Sequence, residues 1–256
     1  MPVVDPNSRP VLVTGAARRI GRAIAERFAR DGRPVVLHGH PHSAETMALT
    51  VKHIVSAGGC AASVLADLGD PEATDSVVAR AAEFFGSPVL LVNNASIFEV
   101  DTALDFTVER FDRHLAINLR APVQLARAFA ATLSDSQRGS IVNFIDQRVW
   151  RLTPQFFTYT LAKSALWTAT QTLAQAYAPR IRVNGVGPGP VLPNEALPVA
   201  GFEHEIRHVL LESAVPVEQI VKAVVYLDGA ESVTGQMIAV DSGQHLAWRT
   251  RDVDVE

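Results

Sequence analysis

Short apolar runs with no polar alternation recur along this chain, and they constrain its fold more than any other feature. Val11-Leu12-Val13, Pro88-Val89-Leu90-Leu91-Val92 and Ser140-Ile141-Val142-Asn143-Phe144-Ile145 are too short for helices and apolar on both faces. A strand of that kind has to be covered above and below, the condition met in a parallel sheet sandwiched by helices. The pattern predicts strands near 10–14, 34–38, 60–65, 88–92, 139–145, 180–186 and 236–240, with helical patterns between them. Right-handed crossovers then place helices on both faces, giving a doubly wound α/β fold of about seven parallel strands. With 256 residues, 48% of them hydrophobic, and no linker or repeat, the expected organisation is one domain over 1–256.

The first run leads into Thr14-Gly15-Ala16-Ala17-Arg18-Arg19-Ile20-Gly21 and then the helical pattern GRAIAERFARDG. Strand, glycine turn and helix in that order form the first unit of a dinucleotide-binding fold, where backbone N–H groups at the helix N-terminus receive a pyrophosphate. The spacing is T-G-x-x-x-x-x-G, with Arg19 where a middle glycine is commonest, so the usual G-x-G-x-x-G pattern fails and a plain tight turn stays open. An NAD site usually carries an acid at the end of the second strand to bind the ribose hydroxyls. Here Val35-Val36-Leu37-His38-Gly39-His40-Pro41-His42-Ser43 has none before Glu45, which points to NADPH. Arg18, His40 and Ser43 are the candidates to enclose a 2′-phosphate; His38 and His42 read as packed or solvated.

The chemistry is carried by IDQRVWRLTPQFFTYTLAK, residues 145–163. Tyr159 and Lys163 stand at i, i+4 on one helix face, so an ammonium beside the phenol is expected to favour its ionised form and make an acid/base unit. Alone, that spacing also fits an ordinary amphipathic helix. Asp146 precedes the tyrosine at the end of a strand, either as a site carboxylate or as a turn cap.

Together these residues resemble the short-chain dehydrogenase/reductase family from about Val11 to Gly243, with Asp67-Leu68, Asn93-Asn94-Ala95, Asn118 and Pro188-Gly189 falling in family order. Within it, TGAARRIG, LHGHPHSAE, NNASIF, VNGVGPG and Asp146 in place of the usual serine are similar to pteridine reductases and bacterial dihydromonapterin reductases. The resemblance implies an NADPH-dependent oxidoreductase that sends hydride to a C=N bond of a dihydropterin. It assigns Tyr159, Lys163, Asp146 and Asn118 to catalysis, Asn118 through a water near Lys163. It assigns Gly15, Arg18, Arg19, Ile20, His40, Ser43, Asp67, Leu68, Asn94, Ala95, Ser96, Tyr159, Lys163, Pro188 and Gly189 to the cofactor. Substrate contacts fall to Arg19, Ser96, Phe98, Asp146 and Tyr159, with Phe98 covering one ring face. Pro41 departs from the relatives, which often offer an arginine nearby. A homotetramer built through helices at 108–133 and 155–178 is implied as well.

The stretch GPGPVLPNEALPVAG, residues 187–201, leads into a segment over about 190–214 that is read as an active-site flap, with an ordinary surface loop as the alternative. The tail over 244–256 could reach a neighbouring subunit. The single cysteine, Cys60, excludes an internal disulfide and reads as a packing residue. No His spacing suits a metal, a net charge of -4 offers no basic stripe for nucleic acid, and no apolar run is long enough for a bilayer, so a cytoplasmic enzyme with a small-molecule substrate is expected. Two alternatives stay open. One is a short-chain reductase of 3-oxoacyl or polyol-type carbonyls, which would need Asp146 protonated or turned away, because an ionised carboxylate only accepts hydrogen bonds. The other is a non-catalytic dinucleotide-sensing protein on the same fold.

Overall fold

A computed structural model of the chain describes residues 9–193 and 199–248. Strands β1 (Val11–Val13), β2 (Val35–Gly39), β3 (Ala61–Leu65), β4 (Leu90–Asn93), β5 (Gly139–Phe144), β6 (Ile181–Pro188) and β7 (Met237–Val240) form one parallel sheet in the order β3-β2-β1-β4-β5-β6-β7. Between them run α1 (Arg19–Arg30), α2 (Ala44–Ser56), α3 (Pro71–Phe85), α4 (Val108–Leu115), α5 (Ala121–Thr132), α6 (Phe157–Tyr177), α7 (Val199–Arg207) and α8 (Val217–Gly229).

The alternation of side chains along each strand divides the apolar runs between two cores. Val11, Val13, Val35, Leu37, Leu90, Val92 and Phe144 pack against Ile24 and Phe28 of α1 and Ile220, Val224 and Leu227 of α8. Their strand neighbours Leu12, Val36, Leu91 and Ile141 face the other way, onto Val77 and Val78 of α3 and Leu125 and Phe129 of α5. Each strand is therefore covered on both faces, as its composition requires. Val11 pairs with Val35 on one side and Leu90 on the other, so the strand order reverses at β1. That switch point, at the C-terminal ends of β1 and β4, is where ligands enter such sheets.

All seven expected strands are present, with β6 running on to Pro188. The long helix expected over 108–133 is broken: a π-helical turn, Ala116–Arg120, separates α4 from α5. Among the described residues, no helix is long and apolar enough to cross a membrane, and no group of three His, Cys, Asp or Glu side chains could hold a metal ion.

Candidate active site

The C-terminal ends of β1, β4, β5 and β6 open into a cleft of about 250 Å³. Its walls bring together Arg19, Ile20, Asn94, Ser96, Phe98, Asp146, Tyr159, Lys163, Pro188 and Gly189, all expected from the sequence. Also lining it are Gln147, Arg148, Phe202, Glu205 and Gln244, which were not.

The turn after β1 is braced from β4. Asn94 donates its side-chain amide to the carbonyls of Thr14 (2.9 Å) and Gly15 (3.1 Å), while the Thr14 hydroxyl accepts from the Asn94 and Ala95 amides at 3.0 Å. Gly15 has φ +62°, and a Cβ there would stand 2.9 Å from the Ala95 Cα, so only glycine fits. Arg19 also lies in the left-handed region, at φ 56°. This is the position where a glycine is commonest, and holding an arginine there costs roughly 1 kcal/mol. Its guanidinium crosses to the loop after β6 and donates to the carbonyls of Pro193 (2.8 Å) and Leu192 (3.2 Å).

These residues fit a dinucleotide. Helix α1 begins with no side-chain cap and no acid in its first turn, so its first N–H groups are left for an anion. Arg18, on the turn after β1, and His40, just after β2, are exposed cationic or hydrogen-bonding groups, and no acid follows β2 before Glu45, where an NAD site would carry one. The Ser43 hydroxyl, by contrast, is engaged with the His40 carbonyl (2.6 Å), and the His40 ring accepts the His42 amide and stands 3.7 Å from Asp67. The Leu68 side chain is buried in the core, so only its backbone can serve a ligand. His38 is packed: one ring nitrogen lies 3.1 Å from the Ala66 carbonyl, and the other receives the Gly15 amide at 3.5 Å.

Tyr159, on the first turn of α6, donates its hydroxyl to Asp146 Oδ2 at 2.9 Å, and Asp146 Oδ1 accepts the Arg148 amide at 2.8 Å. Asp146 thus caps the turn after β5 and engages the tyrosine at the same time. Lys163 is buried and donates to the Phe144 carbonyl at 2.7 Å. Burial brings the Lys163 ammonium down to about 8, against the opposing pull of Asp146. Burial also pushes the Asp146 carboxyl up, opposed by the Arg148 charge and amide and by Lys163. The expectation that Lys163 would lower the Tyr159 phenol is not met in this geometry. Burial first, and then the Asp146 charge, hold the phenol well above its ordinary value, and the Lys163 Nζ stays 5.7 Å from the ring centroid. Tyr159 is held as a neutral donor.

Phe98 stacks on Phe156 at 4.2 Å and meets Tyr159 edge-on at 4.7 Å, with the Arg148 guanidinium 4.7 Å above Phe156. Arg148 makes no salt bridge with a described acid, and its side chain donates only to Thr153 (3.3 Å). The signal for it was a basic residue two places after a buried acid. Asn118 lies in the π turn with its side chain occupied: Oδ1 accepts from Ser96 (2.9 Å) and the Ile97 amide (3.0 Å), and Nδ2 donates to the Ile97 carbonyl (2.9 Å). If Asn118 supports a water, it has to do so through its main chain. Gln244 opens the expected tail and donates to Glu205 of α7 at 2.5 Å. Residues 194–198 of the expected flap and 249–256 of the tail lie outside the described residues.

A glycine turn at a sheet reversal, facing a Tyr-x-x-x-Lys helix, defines a nucleotide-dependent oxidoreductase. Residues 15–245 match the family model for enoyl-(acyl carrier protein) reductase, and the chain belongs to the short-chain dehydrogenase/reductase family. Among solved structures it is similar to FolM alternative dihydrofolate reductase 1 of Brucella canis, complexed with NADP, at 46% identity and a TM-score of 0.92 over 96% of this chain and 97% of that one. The Brucella suis counterpart, also with NADP, is 47% identical with the same TM-score, over 96% and 98%. Among curated relatives, 3beta-hydroxysteroid dehydrogenase 1 of Eggerthella lenta is 31% identical over 94% of this chain and 95% of its own. The chain spans 43% of the length of mouse hydroxysteroid dehydrogenase-like protein 2, to which it is 31% identical over 211 residues.

Proposed function

We propose that this protein is an NADPH-dependent reductase of the pteridine reductase type, reducing a C=N bond of a dihydropterin with proton delivery by Tyr159 and Asp146. The observation that carries this reading is the 2.9 Å hydrogen bond from Tyr159 to Asp146 in the cleft. A carboxylate stands where most of the family places a hydroxyl donor. An acceptor there suits a ring that carries N–H groups beside its C=N bond and disfavours a simple ketone, which offers only lone pairs. The FolM structures support the same substrate class. A cleft of about 250 Å³ is at the small end of ligand sites and suits a compact ring.

When bound, NADPH supplies the hydride. The uncapped start of α1 and the Gly15 turn would hold its pyrophosphate, and Arg18 and His40 would receive the 2′-phosphate. Burial keeps a transferable proton on the Tyr159–Asp146 pair: the phenol is protonated and the carboxyl is drawn upward. Tyr159 passes that proton to the substrate nitrogen. Arg148 then favours the anion left on the pair. Lys163 is placed to bind the nicotinamide ribose once it turns from the Phe144 carbonyl. Phe98, backed by Phe156, gives the substrate ring a flat apolar face.

The test is NADPH oxidation measured against dihydropterins, dihydrofolate and a panel of ketones. Turnover of ketones with none of pterins overturns the reading. A second reading, reduction of 3-oxoacyl or polyol-type carbonyls, is favoured by the dehydrogenase relatives. It requires Asp146 in its protonated form as a donor, a state that burial favours. Assembly as a homotetramer through α4, α5 and α6 belongs to the proposal and is tested by light scattering on the eluting protein.

A further inference from the structure

The catalytic helix has an unusual beginning. Phe156, immediately before α6, is buried yet adopts a left-handed conformation, φ 56° and ψ 46°, and offers no side-chain cap. A bulky residue in that region is strained and persists only where its surroundings over-determine it. The missing cap is supplied from a distance by Asp101, in the segment that follows Phe98. Its Oδ1 accepts the Thr158 amide at 3.1 Å, its main-chain carbonyl accepts the Phe157 amide at 3.3 Å, and its Oδ2 accepts the Thr158 hydroxyl. A carboxylate at a helix N-terminus is also favoured by the helix dipole.

The network continues inward. His114, on the last turn of α4, has Nδ1 2.7 Å from the Thr158 hydroxyl. Because that hydroxyl's one proton goes to Asp101, the imidazole must donate, which fixes the Nδ1–H tautomer and leaves Nε2 a lone pair. Nε2 is buried and has no partner among the described residues. The ring sits 6.0 Å from the Tyr159 ring, inclined at 73°. Burying an acid and an imidazole, at 1% and 0% exposure, is costly, and an apolar trio would fill the space at less cost.

The placement of these groups accounts for that cost. The segment from Ser96 to Asp101 is pinned at one end by Asn118 and at the other by Thr158. Phe98, between the pins, touches both Phe156 and Tyr159. We infer that Asp101, Thr158 and His114 are positioning residues that hold the first turn of α6, and with it Tyr159, in register with the Phe98 wall of the cleft. The inference rests on Tyr159 being the proton donor proposed above.

The experiment uses the full chain with NADPH and 7,8-dihydrofolate, in Thr158→Val and Thr158→Ser, each alone and with Tyr159→Phe. Valine keeps the shape and loses both hydroxyl bonds, so kcat should fall about 30-fold, somewhat less than the ~100-fold of a full ~1 Å misplacement, with NADPH affinity by fluorescence unchanged. Serine should restore kcat to within about threefold of wild type, since the hydroxyl carries the effect. In the Tyr159→Phe background, Thr158→Val should cost less than about twofold, because the group it positions is gone. Asp101→Asn, read in parallel in case the valine variant does not fold, should lower kcat roughly tenfold at unchanged NADPH affinity. Equal impairment by serine and valine, joint loss of kcat and NADPH affinity, wild-type kcat in either Thr158→Val or Asp101→Asn, or an undiminished effect without the tyrosine hydroxyl each overturns the inference. Normal turnover by Tyr159→Phe alone removes the proposed function itself, and the positioning role with it.

Discussion

Protonating one buried imidazole should destabilise this protein and loosen its nucleotide turn. His38, at 2% exposure near the end of β2, places one ring nitrogen 3.1 Å from the Ala66 carbonyl and accepts the Gly15 amide on the other at 3.5 Å. That arrangement needs a neutral ring, with one donor and one acceptor. Burial accordingly brings its pKa from 6.5 to about 4. The unfolded chain takes up the proton near 6.5 and the folded protein only near 4, so the stability due to the neutral ring is complete above about pH 6.5. It is lost as pH falls from there through 4. At 1.36 kcal/mol per pH unit the full loss is about 3 kcal/mol, and at pH 5 it already reaches about 2 kcal/mol. Urea unfolding of wild type and His38→Leu at pH 7.5 and 5.0 isolates this contribution from the other titrating groups. Leucine forfeits the hydrogen bonds at both pH values but has no proton to take up. The stability advantage of wild type over the variant should therefore shrink by about 2 kcal/mol on going to pH 5. A constant or widening gap would refute the reasoning.

Tyr159→Phe should keep NADPH binding, read by fluorescence, while turnover falls at least ~100-fold, the contribution of a positioned general acid; near-normal turnover removes its role. Arg18→Ala should narrow the preference for NADPH over NADH, measured as the ratio of kcat/KM values, and an unchanged ratio would place the 2′-phosphate elsewhere. Lys163, held at about 8 by burial, loses its ammonium as pH rises through that value, so kcat/KM for NADPH should decline above about pH 8. In Lys163→Arg, which stays charged, the residual activity should be flat over the same range, and a matching decline there would point to another group. Asp146→Ser should lower dihydropterin turnover at least ~10-fold more than ketone turnover, since serine restores a carbonyl donor and removes the anionic acceptor; an unchanged ratio counts against the pterin reading.

The strands were legible because each run is apolar on both faces, and that demand is local to the run. Gly15, Asn94, Tyr159 and Asp146 were legible because their backbone or chain-order context narrows what each can do. What escaped the sequence depends on where side chains point across long separations. Nothing in AINLR announces a π turn, yet it turns Asn118 toward Ser96 and Ile97. The i, i+4 spacing correctly places Tyr159 and Lys163 on one face of α6, but it is silent about the Phe144 carbonyl, 19 positions away, that takes the ammonium. The direction of the phenol's shift followed first from burial and then from Asp146, 13 positions before it, rather than from the lysine one turn on. Ser43 was placed beside the phosphate by position alone, and its hydroxyl instead closes the turn on His40.

A carboxylate in place of a serine in this cleft is tolerable only if its surroundings stabilise it, and the residues that do so are close by in the chain. Burial alone would push Asp146 toward its neutral form. The Arg148 charge and amide oppose that, followed by the Tyr159 hydroxyl and Lys163. Arg148 is itself held over Phe156 by a cation–π contact and makes no ion pair with a described acid, so its field is free to act on the Tyr159–Asp146 pair. Asp146 and Arg148 therefore work as one D-x-R unit, in which the guanidinium opposes the upward push of burial on the carboxyl. Reverting Asp146 to serine leaves that cation facing a neutral site. Removing Arg148 would instead leave the acid to its burial, shift it toward the protonated donor, and bring the cleft closer to one that reduces simple carbonyls.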